Sequence, residues 1–241
     1  MWGASSTDCS NGGIMIPSLQ KSYDASTTQA SRHRVLRNTY WLLALSMIPT
    51  VLGAFIGIQA RLPIMGGGLG FLLFFAVAFG FIFAIEKTKN SAAGVPVLLG
   101  FTFFMGLMLT PLLRYTLGFA NGGALIMGAF GGTAAVFAAM ATVATVSKRD
   151  FSGMGSWLFA GTIVLILASV ANIFLHLAAL QLVVLVLAMG IFSAWLIFDV
   201  QRVINGGETN YITATLSIYL DLYNIFTALL QLLGIGFGNR D

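Results

Sequence analysis

The chain has one cysteine, Cys9, two histidines and only eight acidic residues among its 241. A lone cysteine excludes an internal disulfide and any metal site built from thiolates. No Ser-His-Asp, HExxH, Walker or Cys-His constellation is present, so the sequence gives no support for an enzyme or for a bound cofactor. The most telling shortage is charge. Charged residues make up 8% of the chain and hydrophobic ones 58%, whereas a soluble domain carries about a quarter charged residues. So few charges cannot cover the surface of a folded chain of this length in water. Most of the chain therefore lies in a lipid bilayer.

The net charge of +4 points to the membrane rather than to nucleic acid. Lys and Arg fall in short connections, with no basic face and no aromatic-basic alternation. Residues 1–31 are polar and rich in Ser, Thr and Gly. They read as a disordered tail, and they lack the apolar core of a cleavable signal peptide. Beyond the tail the chain reads as an all-α membrane domain over 32–241. Seven apolar spans are expected at about 39–59, 69–86, 94–113, 121–146, 155–176, 178–200 and 211–235. Each is long enough to cross about 30 Å of hydrocarbon. Only "HLAAL" parts the fifth span from the sixth, which implies a tight hairpin with His176 and Gln181 at the interface. Pro111 ends or kinks the third span. Gly128 with Gly132, and Gly131 with Ala135, offer small-xxx-small spacing for close helix approach.

Orientation follows from the basic residues. With the N-terminus cytoplasmic, nine of the twelve lie inside: Lys21, Arg32, Arg34, Arg37, Lys87, Lys89, Lys148, Arg149 and Arg202. Arg61, Arg114 and Arg240 fall outside. Seven crossings then place "GFGNRD" outside.

Two acids stand within expected spans, Asp199 and Asp221. An ionised Asp at the centre of a membrane helix costs roughly 2.5–3.5 kcal/mol on insertion scales. Each therefore needs a partner, a proton or water. In the last span Thr213, Ser217, Asp221, Asn224 and Gln231 follow helical steps that put them on one face. Lipid cannot satisfy such a stripe, so it faces other helices or a wet cavity. It can be a hydrogen-bonded seam between helices, or an ion or proton site. The short "QRVINGGETN" makes the sixth and seventh spans neighbours, so Asp199 and Asp221 can converge. Depth opposes this, because Asp199 lies about 6 Å and Asp221 about 15 Å from the nearer interface. The two meet if the last helix starts outside the bilayer or tilts. Two adjoining carboxylates in a poorly solvated place cannot both ionise cheaply, so they share one proton and titrate as a unit. Without that proton they attract a cation. With Ser217, Asn224 and water they would make a loose, weak calcium site.

Several stretches together resemble the Bax inhibitor-1 family, and within it the bacterial YccA-type branch. They are "VLRNTYWLLALS", "GFTFFMGLMLTPLL", "GGTAAVFAAMATVA", "ANIFL", "IFDVQRVINGGETNYITATLSIYLDLYNIF" and "LLGIGFGNRD". The resemblance covers residues 35–241. It implies a seven-helix bundle with the last helix central and the N-terminus cytoplasmic. It also implies that Asp199 and Asp221 are the family's pH-sensing pair at the cytoplasmic mouth of a calcium leak path. The family's basic latch at the end of the second helix falls here on Glu86, followed by Lys87. YccA-type members are implied to sit in the bacterial inner membrane and to modulate an FtsH-type protease, for which the N-terminal tail is a natural handle.

Three functions follow from this reading. The first is a non-enzymatic modulator of membrane proteolysis carrying a di-aspartate site. The second is a pH-gated calcium or cation leak through Asp199 and Asp221. The third is a proton-coupled transporter, disfavoured because no internal repeat is visible.

Overall fold

The computed structural model describes residues 17–60, 67–147 and 149–239. These form helices α1 (Pro17–Gln59), α2 (Gly67–Thr88), α3 (Gly94–Met108), α4 (Thr110–Leu117), α5 (Gly122–Val146), α6 (Gly155–Leu175), α7 (Ala178–Ile204) and α8 (Tyr211–Phe237). A single 3₁₀ turn, Ser152–Met154, leads into α6. Among the described residues, six stretches are long and apolar enough to cross a membrane: Arg32–Gln59, α3 with α4 as Gly94–Leu117, and each of α5 to α8. The expected second span falls on α2.

Two expectations shift. Residues 1–16 lie outside the described ones, but 17–31, expected as disordered tail, belong to α1. Pro17 suits a helix start, where its missing N–H costs nothing, and no glycine follows to break the run before residue 32. The break near Pro111 comes at Leu109, and Pro111 then stands in the first turn of α4. The α6–α7 connection is the tight hairpin expected, with His176 at φ 52° closing α6 in the left-handed region.

The helix ends sort into two groups. At one end Asn210, before α8, donates to Lys89 O (2.9 Å) and Asn90 Oδ1 (3.0 Å) after α2. Gln201 of α7 bridges the α5–α6 connection, donating to Arg149 O and accepting from Phe151 N, both at 2.7 Å. At the other end Arg114 donates to Gly57 O (2.8 Å) and Ile58 O (2.9 Å), satisfying carbonyls that the end of α1 leaves open. Asn121 likewise donates to Phe237 O at 2.7 Å. Arg114→Leu is expected to cost about 2 kcal/mol, since it removes charged bonds to buried carbonyls. Thermal unfolding in detergent checks this.

Close packing comes from glycines other than those the spacing favoured. A Cβ on Gly132 would meet only the far end of Leu229, and one on Gly131 nothing. By contrast, a Cβ on Gly53 would stand 2.2 Å from Phe103 O, and one on Gly106 2.0 Å from Thr50 O. A Cβ on Gly57 would stand 2.0 Å from Thr110 Oγ1. Gly53 of α1 and Gly106 of α3 therefore let the backbones of those two helices touch, while Gly57 makes room for the Thr110 side chain at the start of α4, the geometry small residues provide where lipid supplies no hydrophobic drive.

At the centre lies α8, which touches α1, α2, α3, α4, α5 and α7. From Tyr211 to Gly234 none of its residues is fully exposed. The opposite face, which carries Leu216, Tyr219 and Tyr223, is not exposed either. Tyr219 shares a bond with Thr50 Oγ1 (2.9 Å) and donates to Thr102 O (3.4 Å), and Tyr223 donates to Met105 O (3.4 Å).

Candidate functional site

Asp199 stands five residues before the end of α7, and Asp221 ten residues after the start of α8. Their carboxyl groups are nonetheless hydrogen-bond neighbours. The loop resolves the difference in depth. Gly206, at φ 80°, closes α7 with Gly207 N and Glu208 N both donating to Arg202 O. Asn210 then begins α8 by accepting from Ile212 N (2.9 Å) and Thr213 N (3.3 Å), while its amide holds the α2–α3 connection. The first turns of α8 thus lie among the connections, beyond the end of α7. There Ile212 is 1% exposed and packs where Gly94 leaves room.

The pair is sheltered, with Asp199 at 8% and Asp221 at 5% exposure. A carboxylate has no hydrogen to donate, so two carboxyl groups this close can bond only when one of them is protonated. Asp221 Oδ2 is buried and receives no bond from an amide or hydroxyl donor among the described residues. The charges acting on Asp199 are Arg202, one turn further along α7, and Glu208. Arg202 and Glu208 form an ion pair at 3.8 Å, and Glu208 also accepts from Asn210 N at 2.9 Å. In the sequence Arg202 counts only among the basic residues that set orientation, and Glu208 is an acid of the connecting loop. Their only signal was a separation of six residues across "VINGG", which a helix-ending turn converts into contact.

The other residues of the stripe take separate roles. Thr213 Oγ1 is buried without a partner. Ser217 is half-buried on the face of Asp221. The Asn224 amide is spent on Leu220 O of its own helix, at 2.8 Å. Gln231 accepts from Gln181 (3.2 Å), whose oxygen accepts from Asn172 (2.9 Å), so amides tie α6, α7 and α8 together near the hairpin end. Glu86 pairs with Lys89, just past the end of its own helix, and Lys87 lies 5.0 Å over the Phe83 ring.

Chemically, two adjoining carboxyl groups can share a proton or, once ionised, attract a cation. Calcium prefers six to eight oxygens. Among the described residues no cluster of three or more His, Cys, Asp or Glu side chains could hold an ion.

A family model described as "Inhibitor of apoptosis-promoting Bax1" matches residues 32–238, the whole bundle described above. The chain belongs to the Bax inhibitor-1 family. Within that family it is 39% identical over 215 residues to "Modulator of FtsH protease YccA" of Escherichia coli strain K12, covering 89% of this chain and 95% of the relative. The same identity and coverage hold for "Inner membrane protein YccA" of Escherichia coli O6:H1. A membrane protein of Vibrio cholerae is 37% identical over 204 residues, covering 84% of this chain and 90% of the relative.

Proposed function

We propose that the chain is a non-enzymatic, multi-pass inner-membrane protein that modulates an FtsH-type membrane protease, and that Asp199 and Asp221 form its proton-sensing element. The observation that carries the protease reading is the 39% identity to the E. coli modulator over 89% of the chain. The name of the second E. coli relative supports the inner membrane. In this reading α2 is the seventh crossing. The end that gathers the start of the apolar part of α1 and the α2–α3, α5–α6 and α7–α8 connections faces the cytoplasm. Lys87, Lys89, Arg149 and Arg202 all lie at that end, as the positive-inside rule requires.

The protease handle is assigned to the residues before Arg32, which the family match leaves uncovered. Full-length protein is expected to co-purify with FtsH from solubilised membranes, and deletion of residues 1–30 to lower recovery several-fold while the bundle still folds. Undiminished recovery of the deletion variant rejects the handle. Failure of the full chain to associate, with unchanged turnover of an FtsH membrane substrate, rejects the protease role.

A second reading, a pH-gated calcium or cation leak, is favoured by one observation. Two carboxyl groups are buried inside the bundle on a face that also carries Ser217 and Asn224. The two readings are compatible in one molecule.

A further inference from the structure

The first turns of the apolar part of α1 carry a cationic cleft that neither reading uses. His33, Arg34, Leu36, Arg37 and Tyr40 line a hollow of about 590 Å³, and helical spacing places them on one side of α1. Arg34 and Arg37 are exposed. Among the described residues the ion pairs are Lys89 with Glu86 and Arg202 with Glu208, so no carboxylate neutralises either arginine. Tyr40 closes the hollow on one side through an edge-to-face contact with Phe137 of α5, at 5.8 Å between ring centres. The backbone of α1 packs on α3, α4, α7 and α8 and not on α5, so the hollow opens beside a seam that side chains bridge.

The arginines also head a stripe. From Arg34 and Arg37, helical steps lead to Trp41 (73% exposed), Leu45 (45%), Ile48 (57%) and Leu52 (51%). Arg37 to Leu52 spans about 22 Å along the helix, longer than one leaflet of about 15 Å. Two guanidinium groups at the boundary of the membrane, with no carboxylate partner among the described residues and above an uninterrupted apolar track, are complementary to a phosphate carrying acyl chains. Arginine suits this because its planar fork can grip phosphate oxygens with two bonds. A zwitterionic headgroup would bring an ammonium into the same cationic field, so an anionic headgroup is preferred. We propose that this cleft binds one anionic phospholipid, its phosphate held by Arg34 and Arg37 and its chains lying along Trp41, Leu45 and Ile48.

The test uses the full chain, delipidated in non-ionic detergent and titrated with phosphatidylglycerol, with phosphatidylcholine and with inorganic phosphate. Bound lipid is counted by native mass spectrometry. Phosphatidylglycerol should saturate at one molecule and bind on the order of tenfold more tightly than phosphatidylcholine, as expected for two basic groups near a headgroup. The double variant Arg34→Gln/Arg37→Gln should lose that preference, and Lys87→Gln/Lys89→Gln should keep it. If the double variant fails to fold, the single variants decide, each expected to lose about threefold. Equal binding of the two lipids, or a preference that survives removal of the arginines, overturns the proposal. So does equal loss in the lysine variant. Displacement of the lipid by millimolar inorganic phosphate would assign the cleft to a free anion and overturn the lipid site.

Discussion

Placing a methyl group on Gly106 should cost the protein about 3 kcal/mol and much of its yield of folded material. The new carbon would stand 2.0 Å from Thr50 O and 2.8 Å from Thr50 C. Backbone cannot swing aside as a flexible side chain can, so α1 and α3 would have to separate. Separation would also loosen Thr50 from Tyr219, at 2.9 Å, and so unseat α8. Against a typical stability of roughly 5–15 kcal/mol, that loss is severe. Gly53→Ala should behave alike, because its carbon would meet Phe103 O. Gly131→Ala is the control, having nothing within 4 Å. Thermal midpoints in detergent decide the matter: equal midpoints for the Gly106 and Gly131 variants would contradict backbone contact between α1 and α3.

The second large effect is expected from Asp221→Asn, as loss of a pH response rather than loss of fold. While the aspartates share a proton, α7 and α8 are held together. As pH rises and that proton leaves, two anions face each other. At a separation of about 4 Å and an effective dielectric constant of about 20, their repulsion is about 4 kcal/mol. The paired arrangement is thus complete at low pH and lost as pH rises. Asparagine supplies a permanent N–H to Asp199 and removes the second charge, so the contact persists throughout. Wild-type protein should show a falling thermal midpoint, and a rising calcium flux in liposomes if the leak reading holds, as pH increases. The variant should be flat in both. An identical pH profile in wild type and variant would refute the shared proton. Flat flux in both, with a pH-dependent midpoint in the wild type alone, would leave the partner role without the leak.

Apart from the polar start of α1 and the break at Leu109, hydropathy located the helices to within a few residues, since a span must be long and apolar whatever it packs against. The aspartates were legible for the converse reason: a carboxylate in such a run has to be accounted for. The neighbours that shape the site were not. Asn210 and Gln201 act on backbone atoms of distant connections, at Lys89 and at Arg149 and Phe151, and no local pattern announces such partners. Periodicity identified one polar face of α8 and gave no sign of how its other side is held. A helix enclosed on every side has no lipid face, and Tyr219 and Tyr223 could therefore bury hydroxyls on carbonyls of α3. The glycines failed for a different reason. Small residues four apart occur in both α1 and α5, and spacing alone does not say which pair meets backbone and which meets the tip of a leucine.

The enclosure of α8 also bears on how the molecule is made. A segment carrying Asp221, Asn224 and Gln231 is a poor guest for bare lipid, and it emerges after every helix that surrounds it. Its predecessors must wait as an open staple of helices around a vacant axis, and the final segment is threaded in as the keystone. Cutting the chain before Tyr211 would not trim the bundle but leave it hollow. The cell's quality control would then meet a shell whose inner walls display Asp199 without Asp221 and Thr50 without the hydroxyl of Tyr219.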